Sequence, residues 1–200
     1  MMNNAIWIIL VMVGLGLVWG GRKVLALDKV PEPPFKSRAR LSGGVEIREY
    51  PALVVARTPM AVPSMGKAAN SGFQRVARYL FGGNDRSESM AMTAPVVIEM
   101  GAEPSLYFFM PFDKTQDQLP GTSDSLLRVH TLAPRTLAVL GFGGFAGNED
   151  IRGYGLKLRS ILEREGWTII GPLMYLGYNA PWKLIGRRNE VAFEVQSKSS

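Results

Sequence analysis

Gly82 to Pro95 reads GGNDRSESMAMTAP, and across it the periodicity of the chain changes. Upstream, residues 64–81 carry apolar groups at helical spacing; downstream, Val96, Val97 and Ile98 begin a β-rich run. Between them lie paired glycines, an Asn-Asp turn signal, and Met90 and Met92 just ahead of Pro95. Strand alternation puts both methionines on one face. Their flexible thioethers suit either an irregular core or the wall of a pocket for a flat apolar ligand.

Working outward, Val45 to Thr58 (VEIREYPALVVART) alternates like two strands broken at Pro51. Ser64 is the expected N-cap of the helix that follows, with Met65, Ala68, Ala69, Phe73, Val76 and Leu80 on its apolar face. Lys67, Gln74, Arg75 and Arg78 occupy the opposite side. Val96–Glu99 and Ser105–Met110 are short strands, and 111–125 a polar, proline-bracketed loop. Leu127 to Phe142 repeats the order strand, proline break, strand. A second helix is expected from Asn148 to Glu165, with Glu149 and Asp150 at its N-terminal dipole and Gly166 to end it. Strands over 167–170, 173–177 and 190–195 complete the pattern. Two similar halves sharing one sheet or open barrel account for that repeated order.

Residues 1–27 stand apart, as an N-terminal transmembrane anchor or uncleaved signal. Ala5 to Gly21 holds no charged residue and would span ~25 Å as a helix. Trp7 and Trp19 sit near its ends, and Arg22 and Lys23 close it. With Lys29, that pair favours a cytoplasmic domain by the positive-inside tendency, although a chain without cysteine is compatible with either side. Residues 28–42, with three prolines between 31 and 34, read as a stiff solvated linker, leaving 43–196 as the domain.

The absence of cysteine excludes a disulfide frame, a thiolate metal site and a cysteine nucleophile. The net charge of +6 comes from scattered basic residues, without a run that would mark nucleic-acid binding, and suits an anionic bilayer surface. A lone histidine, His130, and no Gly-x-Ser-x-Gly elbow argue against a catalytic triad. His130 has no metal-ligand spacing around it and reads as a strand residue. Gly141 to Gly147 (GFGGFAG) superficially matches a dinucleotide loop, but the strands around it look antiparallel and no acidic ribose partner is evident. Arg75 and Arg78 could pair with the carboxylates of an amphipathic ligand, or form a solvated helix face. Tyr178 to Val191 (YNAPWKLIGRRNEV) gathers Trp182, Lys183, Arg187, Arg188 and Glu190, which could grip a flat anion or lock the last strand.

EIREYPALVVA, GGNDRSESMAMTAPV, GFGGFAG and YNAPWKLIGRRNEV, in this order across residues 43–195, resemble the SOUL haem-binding proteins. The resemblance implies an α+β domain: a distorted antiparallel β-barrel of two pseudo-symmetric halves, with a helix packed on each. It also implies non-covalent binding of haem or another tetrapyrrole in an apolar cleft, with basic groups near the propionates. Carried onto this chain, those groups are Arg75, Arg78 and Lys183, with Tyr79 beside them and Met90 and Met92 shaping the cleft. His130 matches no ligand of that family. Two further expectations remain open: an enzyme using Glu49 or Tyr79 for acid-base work, and a protein-interaction module at the membrane.

Overall fold

In the computed structural model, residues 30–179 and 186–197 are described. The strands are β1 (Lys36–Arg40), β2 (Val45–Tyr50), β3 (Leu53–Pro59), β4 (Val96–Glu99), β5 (Ser105–Phe109), β6 (Arg128–Leu132), β7 (Arg135–Gly143), β8 (Trp167–Ile169), β9 (Met174–Gly177) and β10 (Arg188–Ser197). Two helices, α1 (Lys67–Leu80) and α2 (Asn148–Arg164), interrupt them. β2 stops ahead of Pro51, which cannot donate to a ladder. α2 carries Glu149 and Asp150 in its first turn, Asp150 Oδ2 accepts the Gly147 N–H at 2.9 Å, and Gly166 past its end has φ +76°. α1 begins later than expected: Gly66, not Ser64, is its N-cap, and no side chain caps it. Its open end is tied instead to α2, because the Met65 N–H donates to Asn148 Oδ1 at 2.9 Å. Residues 36–40, within the stretch read as a linker, form β1 against β2.

The strands form one antiparallel sheet in the order β1-β2-β7-β10-β9-β4-β5-β3-β6, with β8 pairing β10 off that path. The expected α+β class and its two halves are present, and the sheet curls as a half-barrel whose path ends at β1 and β6. Leaving β1 and β8 aside, the order is unchanged when read backwards with β2 exchanged for β6, β3 for β7, β4 for β9 and β5 for β10. The two halves are therefore related by a pseudo-two-fold axis between β4 and β9. Each half also lends its first strand to the other, since β2 pairs with β7 and β6 pairs with β3.

Both helices pack on one face of the sheet. Val76, Tyr79 and Leu80 from α1 and Ile151, Leu158 and Leu162 from α2 share a core there with Ile47, Phe108 and Phe193. Each such aliphatic or aromatic side chain contributes roughly 1.5–3 kcal/mol through burial. The other face carries no helix and is also buried, around Tyr50, Val55, Val97, Tyr107, Phe109 and Leu176. A sheet alternation that looks half-polar thus faces interior on both sides, because the curl folds the second face onto itself. The anchor expected over residues 5–21 lies outside the described residues. Among the described residues, no helix is long and apolar enough to cross a membrane.

Candidate ligand-binding site

The loop after α1 is built by Asn84. Its Nδ2 donates to the carbonyls of Tyr79 and Glu88 at 2.8 and 2.7 Å, and its Oδ1 accepts from the Arg86 and Glu88 N–H groups. Gly83 lies against the last turn of α1, where an added Cβ would sit 2.7 Å from the Arg78 carbonyl oxygen. The Met90 N–H then donates to the Leu80 carbonyl at 2.7 Å, returning the chain to the helix before β4. These bonds fix Met90 and Met92 against the core on the helix side: Met90 is 6% exposed and Met92 half-buried. Core packing is the role seen for both.

The two helix arginines part company. Arg75 Nε donates to Asp124 at 3.0 Å and its Nη1 to Thr58 Oγ1 at 2.9 Å, tying α1 to β3 and to the 111–125 loop. Arg78 is exposed, and its guanidinium has no partner among the described residues. One turn on, Phe81 is 59% exposed. Residues i and i+3 share a helix face, so a free cation stands beside a bare aromatic ring. Sequence reasoning missed Phe81, because an aromatic ending an apolar stripe reads as core; its neighbour Leu80 fills that place.

Tyr79 points inward and its hydroxyl donates to the Pro120 carbonyl at 2.7 Å. Burial pushes its pKa up to about 12, with Asp85 and Glu88 adding to the shift. Neither Tyr79 nor Glu49, which pairs with Arg38 at 2.9 Å, stands free for acid-base work. His130 is half-buried on β6, on the helix-free face, and Met90 lies on the other side of the sheet. One iron could not take both. Among the described residues no cluster of His, Asp and Glu could hold a metal.

Trp182 and Lys183 lie outside the described residues. The described ends of that loop, residues 178–179 and 186–191, are held in place. Arg188 makes a two-pronged bond to Glu32, both contacts at 2.9 Å, and Tyr178 donates to Glu190 Oε2 at 2.6 Å. Glu190 also accepts both Nη groups of Arg48, at 2.9 and 3.1 Å, while Arg48 Nε donates to Glu46 at 2.7 Å. A lock on the last strand is one of the two readings of this loop; its partners Arg48 and Glu46, on β2, are not legible from the sequence. Burial works against the Arg48 charge, but Glu190 and Glu46 outweigh it and hold the guanidinium above its usual range. Burial first, and then Glu190, pushes the Tyr178 phenol up as well. Residues 31–35 strap across this corner: Phe35 lies under Arg48 at 4.6 Å and against Tyr50 at 5.5 Å, and the Pro31 carbonyl accepts the Ala94 N–H. The glycine-rich turn is likewise structural, with Gly144 at φ +86° and its carbonyl accepting from Asn189 at 2.8 Å.

A curled antiparallel sheet of two exchanged halves, with one helix each on a common face, defines the architectural class. Solved structures share it: the EcmrR C-terminal domain has a TM-score of 0.59 at 12% identity, covering 76% of this chain and 97% of its own. An uncharacterized conserved protein from Listeria innocua has a TM-score of 0.56 at 9% identity, covering 89% and 98%. The sequence is more discriminating. The chain belongs to the SOUL heme-binding protein family, whose model matches residues 30–194. Heme-binding protein 1 of Xenopus laevis is 30% identical over 155 residues, 74% of this chain and 82% of its own. Heme-binding protein 2 of Homo sapiens is 30% identical over 158 residues, 74% and 77% of the two chains.

Proposed function

We propose that this protein binds haem or a related tetrapyrrole non-covalently, as a carrier or buffer, with the ring against the exposed side of α1. Family membership and the names of its relatives support the ligand class. The observation that carries the location is Arg78, unpaired and one helical turn from the exposed ring of Phe81. A flat apolar ring stacks on Phe81 while a propionate pairs with the guanidinium. Lys183 is assigned to the second propionate. Arg75 and Tyr79 hold the helix from beneath, and Met90 and Met92 form the packed wall behind it. Capture is hydrophobic and ionic, with no axial ligand assigned.

The domain is tethered to a membrane by residues 5–21 as a single-pass helix within a 1–27 anchor. Residues 28–42 lead from it to the 43–196 domain, on the cytoplasmic side. The test is titration of the full-length protein in detergent with haemin and with metal-free porphyrin, read from the Soret band. Arg78→Ala, Phe81→Ala and Lys183→Ala should each weaken binding by about tenfold, or roughly 1.4 kcal/mol. Affinity no greater than that of an unrelated protein of equal charge would overturn the proposal.

A further inference from the structure

The pseudo-two-fold symmetry provides an internal comparison of the two ends of the helix-free face. Tyr50 pairs with Arg135 across β2 and β7, and Leu132 pairs with Leu53 across β6 and β3. Matching those pairs equates Arg48 with His130 and Glu46 with Arg128. Glu190 pairs with Gly141 and Ser105 with Pro59, which equates Glu190 with Ser105. At one end, then, a central cation sits between two carboxylates. At the other, those carboxylate positions hold an arginine and a serine.

The second end also gains Arg57, which stands directly opposite Arg128 in the β3–β6 register, with His130 diagonal to it on the same face. Like charges placed opposite one another destabilise a sheet, and diagonal neighbours remain within reach of long side chains. Compensation is thin. Arg57 donates from Nη2 to Glu99 and from Nε to Ser105 Oγ at 2.9 Å, so its Nη1 is left open. Glu99 is itself shared, with Arg135 Nη1 3.9 Å from its other oxygen. Arg128 is exposed and its guanidinium has no partner among the described residues, while its backbone is hydrogen-bonded by the His130 ring. His130 faces Arg57, Arg128 and Glu99, and burial and then Arg57 depress its pKa.

We propose that this corner of β3 and β6 is an anion site for a phosphoryl group. The Arg57 Nη1 and the Arg128 fork supply donors to its terminal oxygens, and the His130 ring, one nitrogen of which is bonded to the Arg128 backbone, supplies a third from its other nitrogen as the anion draws a proton onto it. A phosphomonoester is anionic at neutral pH, which suits the excess of positive charge that Arg57 and Arg128 keep over Glu99. A carboxylate, with two oxygens and one charge, would leave a donor unused. The corner lies across the sheet from α1, so occupancy does not depend on haem binding.

His130 is the only histidine of the chain, which makes its imidazole a site-specific reporter. The full-length protein in detergent is titrated with inorganic phosphate and, separately, with phenyl phosphate, at constant ionic strength, while the His130 ring protons are followed by NMR. A saturable shift is expected, with the imidazole titration midpoint rising as the anion offsets Arg57 and Arg128. Tighter binding of phenyl phosphate would identify the ligand as an organic phosphomonoester, and equal binding as the free anion. Arg128→Gln, which removes an exposed side chain without a partner and leaves the circular-dichroism spectrum intact, should weaken either response at least tenfold. Arg152→Gln, an exposed arginine on α2, should leave both unchanged. A response that fails to saturate, survives Arg128→Gln, or is lost equally in Arg152→Gln would overturn the proposal.

Discussion

Arg135 on β7 donates a hydrogen bond to the Tyr107 hydroxyl on β5, with β10, β9 and β4 lying between their strands in the sheet. Strands so far apart along a flat sheet could not meet; the bond crosses the inside of the curl. Tyr107 is fully buried and Arg135 nearly so. Burial opposes the Arg135 charge, and Tyr107 and Glu99 more than restore it.

Cutting this tie should cost more from the charged side. Tyr107→Phe removes one bond to an ionised partner, about 1.5–3 kcal/mol. Arg135→Ala also leaves a buried hydroxyl unpaired and Glu99 short of a cation, about 3–5 kcal/mol. Urea denaturation at neutral pH would measure both. Equal, sub-kilocalorie losses would mean that the curl does not rely on the bond.

Tyr79 should make the fold sensitive to alkali. Its folded pKa, about 12, lies above the ordinary phenol value of 10.0, so the fold favours the neutral phenol. That contribution is complete below pH 10 and is lost as pH rises toward 12, roughly 2–3 kcal/mol in all. Tyr79→Phe should be less stable at pH 8, having lost the bond to Pro120, yet show a shallower decline of the urea midpoint between pH 10 and 12. A parallel decline in both proteins would contradict the assignment.

His130 shifts the other way and should act at the acid end. Its folded pKa lies below the ordinary imidazole value of 6.5, through burial and then Arg57. The neutral ring is favoured by folding, so this contribution is present above pH 6.5 and is lost as pH falls through the folded value. In phosphate-free buffer, NMR titration should place the midpoint below 6.5, and His130→Asn should flatten the loss of stability between pH 7 and 5.

Gly83→Ala should disturb the α1 surface without touching a ligand. Its Cβ would sit 2.6 Å from Arg78 Cγ and 2.7 Å from the Arg78 carbonyl oxygen, and the backbone there cannot step aside cheaply. A loss of about 1–3 kcal/mol is expected in thermal unfolding, with weaker haemin binding because Arg78 is displaced. Unchanged unfolding and unchanged binding together would refute the packing argument.

The local elements were legible because their signals are local. The breaks at Pro51 and Pro134 separate β2 from β3 and β6 from β7, and Glu149, Asp150 and Gly166 bracket α2. Ser64 misled because a serine ahead of an apolar stripe looks like a cap, whereas residues 61–64 bend and the helix starts at Lys67. The repeated order of strands and helix announced two halves, but not that each half gives its first strand to the other, since pairing partners leave no mark on either segment. Arg48, Arg135 and Glu190 alternate with apolar residues like a solvent-facing row; only the curl reveals them as largely enclosed. Arg75 could be read as a ligand contact or a solvated residue, and instead meets Asp124, a partner remote in sequence.

The exchange of first strands bears on how the molecule is made. β2 leaves the ribosome early, yet its neighbour β7 belongs to the second half, and β6 must reach back to β3. Neither half can complete its share of the sheet alone, and contacts so distant along the chain carry a high loop-closure cost before they return any stability. Folding should therefore be slow, largely post-translational and all-or-none, and a nascent chain stalled after α1 should hold β2 as an unpaired edge for a chaperone to shield.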